Sequence, residues 1–119
     1  MISVIYVDDD IDLLELVPLI LTDIEIRTAI SGEEALKLLE DSICDVIVTD
    51  YQLMHGMNGV EFMEIVRSND STKNIPFIFF TGWNVSKGIF KGADYFLKGG
   101  DPDSLFGELG FKIKKLAEK

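Results

Sequence analysis

The chain has 119 residues, 47% hydrophobic and 27% charged, a balance that suits one folded domain over 1–119 and excludes a disordered chain. Eleven basic residues against 21 acidic ones give a net charge of −10, which argues against nonspecific binding to nucleic acid or to an anionic membrane, since both need a basic face. Cys44 is the lone cysteine, so no internal disulfide is expected and a reducing, cytoplasmic setting is the natural reading.

Ile2 to Val7 reads as a buried strand. No basic segment precedes it and it turns acidic at once, unlike a signal peptide. No apolar stretch reaches the roughly 20 residues of a membrane helix. Ile11 to Leu21 predicts a helix with a wide apolar stripe, and Pro18 within it is expected to kink or weaken the middle. Ile24 to Ile30 is a second strand. Ser31-Gly32-Glu33-Glu34 has the form of a capping box, Ser31 as N-cap and Glu34 at N3, and opens a helix through Leu39. Asp45 to Thr49 is a third strand. Asn58-Gly59-Val60-Glu61 starts another capped helix that runs to about Ser68. Ile75 to Phe80 is a fourth, very apolar strand, with Pro76 at its start where a missing donor is tolerable. Asn84 to Lys91 holds two turns of helix at most, with Gly88 inside it. Tyr95 to Leu97 is a short fifth strand. Asp101-Pro102 supplies an N-cap and a proline at N1 for a last helix towards Leu116, with Lys112, Lys114, Lys115 and Lys119 near its C-terminus, where they favour the dipole.

Strands alternating with helices predict an α/β fold, a parallel sheet covered by helices on both faces. Five strands joined by right-handed crossovers most often adopt the doubly wound order 2-1-3-4-5, with ligands bound beyond the carboxyl ends of the strands, at the switch point between strands one and three. Asp8, Asp9 and Asp10 follow strand one, Asp50 follows strand three, Thr81 strand four and Lys98 strand five. Any one of these alone fits a turn, a cap or a solvated side chain. Together they form a constellation. Clustered carboxylates repel unless a cation joins them, and Mg2+ suits a partly hydrated site of oxygen ligands. Lysine and hydroxyl complete a site for a phosphoryl group, with a carboxylate as nucleophile.

The stretches Val7-Asp8-Asp9, Val48-Thr49-Asp50, Phe80-Thr81-Gly82 and Tyr95-Phe96-Leu97-Lys98, with Ser31-Gly32-Glu33-Glu34-Ala35-Leu36 between them, resemble the receiver domain of two-component response regulators. The resemblance covers the chain from the first strand to the last helix and implies a flavodoxin-like fold. It implies Asp50 as phosphoacceptor, taking a phosphoryl group from the phosphohistidine of a histidine kinase, from a phosphotransfer protein or from a small acyl phosphate. Asp8, Asp9, Asp50 and the Gln52 backbone carbonyl would hold Mg2+ or Mn2+. Lys98 would contact the phosphoryl group, with Gly82 as the small residue beside it. Thr81 would move its hydroxyl onto the phosphoryl oxygen, and Tyr95 would be the aromatic switch that follows. The surface of the fourth helix, fifth strand and fifth helix would then change for a downstream protein or a phosphorylation-dependent homodimer. The resemblance implies no enzyme beyond self-phosphorylation and autodephosphorylation.

Four features depart from that family's pattern. The loop from Asp50 to Gly59 lacks a proline and is one residue longer than usual; it holds the only histidine, His55, read as a solvated loop residue. Lys98 is followed by Gly99 and Gly100 instead of a cis-proline. Only 16 residues separate Thr81 from Lys98, so the fourth helix must be short. Gln52 and Trp83 occupy the two positions that tune phosphate lifetime in the family, and bulky Trp83 is expected to shield the acyl phosphate. Three rival readings fit the residues less well. A haloacid-dehalogenase-like phosphatase would use Asp8 as nucleophile and usually needs a longer chain. A calcium loop on Asp8, Asp10 and Asp12 fails because Leu13 and Leu19 stand at its glycine and glutamate positions. A receiver that has lost phosphorylation is opposed by the intact Asp8, Asp9, Asp50, Thr81 and Lys98.

Overall fold

The computed structural model describes residues 1–53, 56–82, 93–97 and 101–118. The elements run β1 (Ser3–Val7), α1 (Ile11–Ile20), β2 (Glu25–Ala29), α2 (Gly32–Asp41), β3 (Val46–Thr49), α3 (Gly59–Arg67), β4 (Phe77–Thr81), β5 (Asp94–Leu97) and α4 (Pro102–Ala117). The five strands form one parallel sheet in the order β2-β1-β3-β4-β5, the doubly wound order expected from the alternation.

The apolar runs decide which strands lie in the middle. β1, β3 and β4 are buried almost throughout, because strands covered on both faces need no polar alternation. β2, with Glu25, Arg27 and Thr28, is half-exposed at one edge. Alternate side chains feed two cores. Ile5, Val7, Ile47, Phe77 and Phe79 pack with Ala35, Leu39, Phe62, Met63 and Val66 of α2 and α3. Val4, Tyr6, Val48, Ile78 and Phe80 pack with Leu14, Val17, Phe106, Leu109 and Ile113 of α1 and α4.

Local signals set the helix ends. Asp10 caps α1 by accepting from the Leu13 amide at 3.2 Å. Ser31 caps α2, its hydroxyl accepting from the Glu34 amide at 3.1 Å, but Glu34 reaches back to the Ile30 amide (3.3 Å), one residue earlier than a reciprocal box requires. At α3 the box is complete, Asn58 and Glu61 each accepting the other's amide, at 2.8 and 2.9 Å. Asp101 caps α4 ahead of Pro102. Arg27 on β2 closes the far end of α2, donating to the carbonyls of Leu38 at 3.0 Å and Ser42 at 2.8 Å. Lys114 of α4 pairs with Asp23 before β2, and Lys112 with Asp94 at 3.5 Å.

Most element ends shift by one or two residues from expectation, and three differences have a clear physical reason. Pro18 lies in the last turn of α1, not its middle, and the helix runs through it to Ile20; the missing amide is tolerated because so little helix follows. Pro76 precedes β4, its carbonyl accepting from Ile47 at 3.0 Å. The strand ends on Thr81, where expectation stopped it at Phe80, since pairing with Leu97 of β5 carries the ladder one residue further. The expected short helix over Asn84–Lys91 lies outside the described residues, as do His55 and Lys119.

Cys44 is buried just before β3, and burial pushes its thiol up to about 11 from an ordinary 9.0. The folded state therefore binds this proton more tightly than the unfolded state. Its contribution is fully present below pH 9 and is lost as pH rises towards 11. Cys44 should resist iodoacetamide at pH 8, measured by mass spectrometry, and react promptly in urea. Fast labelling of the native protein would contradict the burial.

Candidate functional site

Backbone pairing carries the acids to the switch point. The Asp8 amide donates to the Ala29 carbonyl and the Asp50 amide to the Val7 carbonyl, both at 3.0 Å, so the sheet's ladder continues one step past the ends of β1 and β3. Asp8 is 1% exposed and Asp50 8%. One carboxylate oxygen from each of Asp8, Asp9 and Asp50 lies within 4.8 Å of the others. The Asp10 amide donates to Asp8 Oδ1 at 2.9 Å and the Gln52 amide to Asp50 Oδ1 at 3.3 Å. Asp10 itself caps α1, its carboxylate accepting from the Leu13 amide.

Three carboxylates drawn this close, two of them buried, are hard oxygen donors that concentrate negative charge at one point. That donor set fits a hard divalent cation of the Mg2+ type. A cavity of about 610 Å3 opens beside it, lined by Asp9, Asp50, Gln52, Asn58 and Glu61 among others. A polar cleft at the switch point can admit a phosphoryl donor.

Thr81 ends β4, fully buried at the same edge of the sheet. Gly82 follows it, exposed, and nothing among the described residues lies within 4 Å of where a Cβ would stand. Tyr95 on β5 pairs with Phe79 and packs half-buried against the α2–α3 side of the sheet. The side chain of Gln52 is exposed at the cavity. Lys98 and Trp83 lie outside the described residues.

Two glycines shape the longer loop after Asp50, and the sequence spacing did not assign them roles there. Gly56 adopts φ +75°, a left-handed conformation that favours glycine, with the Glu33 carboxylate against it. Gly59 opens α3, its amide donating to the Tyr51 carbonyl at 2.7 Å. A Cβ at Gly59 would stand 2.3 Å from the Asp50 carbonyl oxygen and 3.0 Å from the Phe79 ring. The first turn of α3 therefore rests directly on the backbone of Asp50. Gly59→Ala is expected to destabilise the fold by about 1–3 kcal/mol through this overlap, checked by urea denaturation; an unchanged midpoint would show that the contact yields freely.

Comparison with known proteins agrees with this architecture. The family model described as the response regulator receiver domain matches residues 4–108. A curated relative from Rhizobium etli, named a probable CheY chemotaxis protein, is 31% identical over 83 residues; the match covers 67% of this chain and 64% of that protein. A Chloroflexus aurantiacus protein assigned as a response regulator has a similar solved structure, with TM-score 0.85 and 30% identity over 98% of both chains. The response regulator TrrA of Thermotoga maritima, solved in complex with Mg(2+)-BeF, gives TM-score 0.82 and 31% identity over 98% of this chain and 99% of that one.

Proposed function

The chain belongs to the response regulator receiver domain family, and we propose that Asp50 is its phosphoacceptor in a two-component system. The observation that carries this reading is the meeting of the Asp8, Asp9 and Asp50 carboxylates within 4.8 Å at the ends of β1 and β3. We read the whole of 1–119 as one receiver unit.

In the proposed reaction an Asp50 carboxylate oxygen attacks the phosphorus of a phosphohistidine. The P–N bond breaks as the new P–O bond forms, and the imidazole leaves and takes a proton from solvent. Asp8, Asp9, Asp50 and the Gln52 carbonyl would hold Mg2+ or Mn2+. Bound there, the ion would neutralise the acids and offset the charge of the incoming phosphoryl oxygens. Lys98, next after the last residue of β5, supplies a second positive charge. Gly82, with nothing among the described residues near its Cβ position, leaves room beside the phosphoryl group.

Phosphorylation replaces one negative charge by about two. The Thr81 hydroxyl then moves onto a phosphoryl oxygen and Tyr95 follows, biasing a two-state surface made by 84–91, β5 and α4. That surface meets a downstream protein or a second copy. A histidine kinase or phosphotransfer protein supplies the phosphoryl group in the cytoplasm. The chain's own chemistry is limited to self-phosphorylation and autodephosphorylation. Among the described residues no helix is long and apolar enough to cross a membrane.

Acetyl phosphate with Mg2+ should label the wild type on Asp50, and both Asp50→Asn and removal of the metal by chelation should abolish labelling. Equal labelling of wild type and Asp50→Asn would sink the assignment, and label on Asp8 would indicate the haloacid-dehalogenase-like alternative. Gln52 and Trp83 are assigned to phosphate lifetime. Trp83→Ala should hasten decay of the phosphorylated protein severalfold; an unchanged decay rate would remove the shielding role.

A further inference from the structure

Tyr6 is 1% exposed, and its buried hydroxyl has no hydrogen-bond partner among the described residues. An unpaired hydroxyl in a core opposes folding, and phenylalanine would suit the same space better. Tyr6 stands two residues before Asp8 on β1, and it pairs across the sheet with Val48, two residues before Asp50 on β3. The period of two along a strand puts it beneath both aspartates on one face. The ring packs against Phe80, centroids 6.3 Å apart, within the core shared with α1 and α4. The hydroxyl is therefore a buried donor under an acid cluster.

We propose that Tyr6 is a positioning residue of the acid site: with the cation bound, its hydroxyl donates to the Asp8 carboxylate, directly or through one water, and holds that carboxylate in its ligating orientation. The proposal rests on the receiver reading. Donors behind a ligating carboxylate orient it and raise metal affinity. Asp8 already takes the Asp10 amide on Oδ1, a hold from the turn above; Tyr6 adds one from the core below. The Tyr6 hydroxyl, without a partner among the described residues, has its donor available for that bond.

The test is Mg2+ titration by calorimetry, with metal-free melting temperatures, for wild type, Asp9→Asn and Tyr6→Phe. Wild type should bind Mg2+ and Asp9→Asn should lose binding; no binding by the wild type, or equal binding by both, overturns the receiver reading and this inference with it. Where those two behave as expected, Tyr6→Phe should bind about tenfold more weakly, with a metal-free melting temperature equal to or above wild type. Unchanged Mg2+ affinity in Tyr6→Phe overturns the inference alone. Weaker binding with a lowered metal-free melting temperature also overturns it, because the hydroxyl would then be supporting the fold and not the site.

Discussion

Like charge at close range is the constraint around which the molecule is arranged. Two unit charges about 4 Å apart in partly buried surroundings repel by about 4 kcal/mol. Asp8, Asp9 and Asp50 bring three such groups within 4.8 Å of one another. The backbones that carry Asp8 and Asp50 are held in place. The amides of Asp8 and Asp50 are tied to Ala29 and Val7, and α3 rests on the Asp50 carbonyl through Gly59. The apolar strands beneath supply the cohesion that keeps the charges together: Val4 to Val7, Val46 to Val48 and Phe77 to Phe80 are almost wholly buried. The packed core fixes the strand ends and, with them, the positions of the acids.

The two faces of the sheet serve that site differently. On one face α2 and α3 hold the loop that follows Asp50, with Gly32 close against Met57 and Glu33 against Gly56. On the other, aromatic rings lead from beneath the acids towards the last helix. Tyr6 lies against Phe80, and Phe80 stacks on Phe106 of α4 at 5.7 Å between centroids. A displacement at the aspartates thus meets well-packed groups on both sides, which favours discrete rearrangement over gradual yielding.

Most of the scaffold was legible in the residues, because it follows from local patterns. Uninterrupted apolar runs marked the central strands, Asp101-Pro102 and Asn58 to Glu61 marked helix starts, and the alternation implied the order β2-β1-β3-β4-β5. The convergence of Asp8, Asp9 and Asp50 followed from that order and the switch-point rule. What stayed hidden depends on partners distant in sequence. Arg27 reads as an edge-strand charge until the carbonyls ending α2 arrive above it. Gly59 reads as a favourable first residue of a helix until the Asp50 carbonyl is found where a Cβ would go. Tyr6 looks like any core aromatic, since nothing local reveals that its hydroxyl ends up unpaired. The end of β4 moved for the same reason: Thr81 joins the strand only because Leu97 pairs with it.

The register of β1 against β3 also bears on synthesis. Asp8 and Asp50 become neighbours only when Val7 meets Thr49 across the sheet, a pairing between segments far apart in the chain. On the ribosome the N-terminal strand must wait for the third to emerge, and until then its acids face solvent as ordinary surface charges. The cluster therefore exists only while that strand pair is formed, and any opening of the pair disperses it.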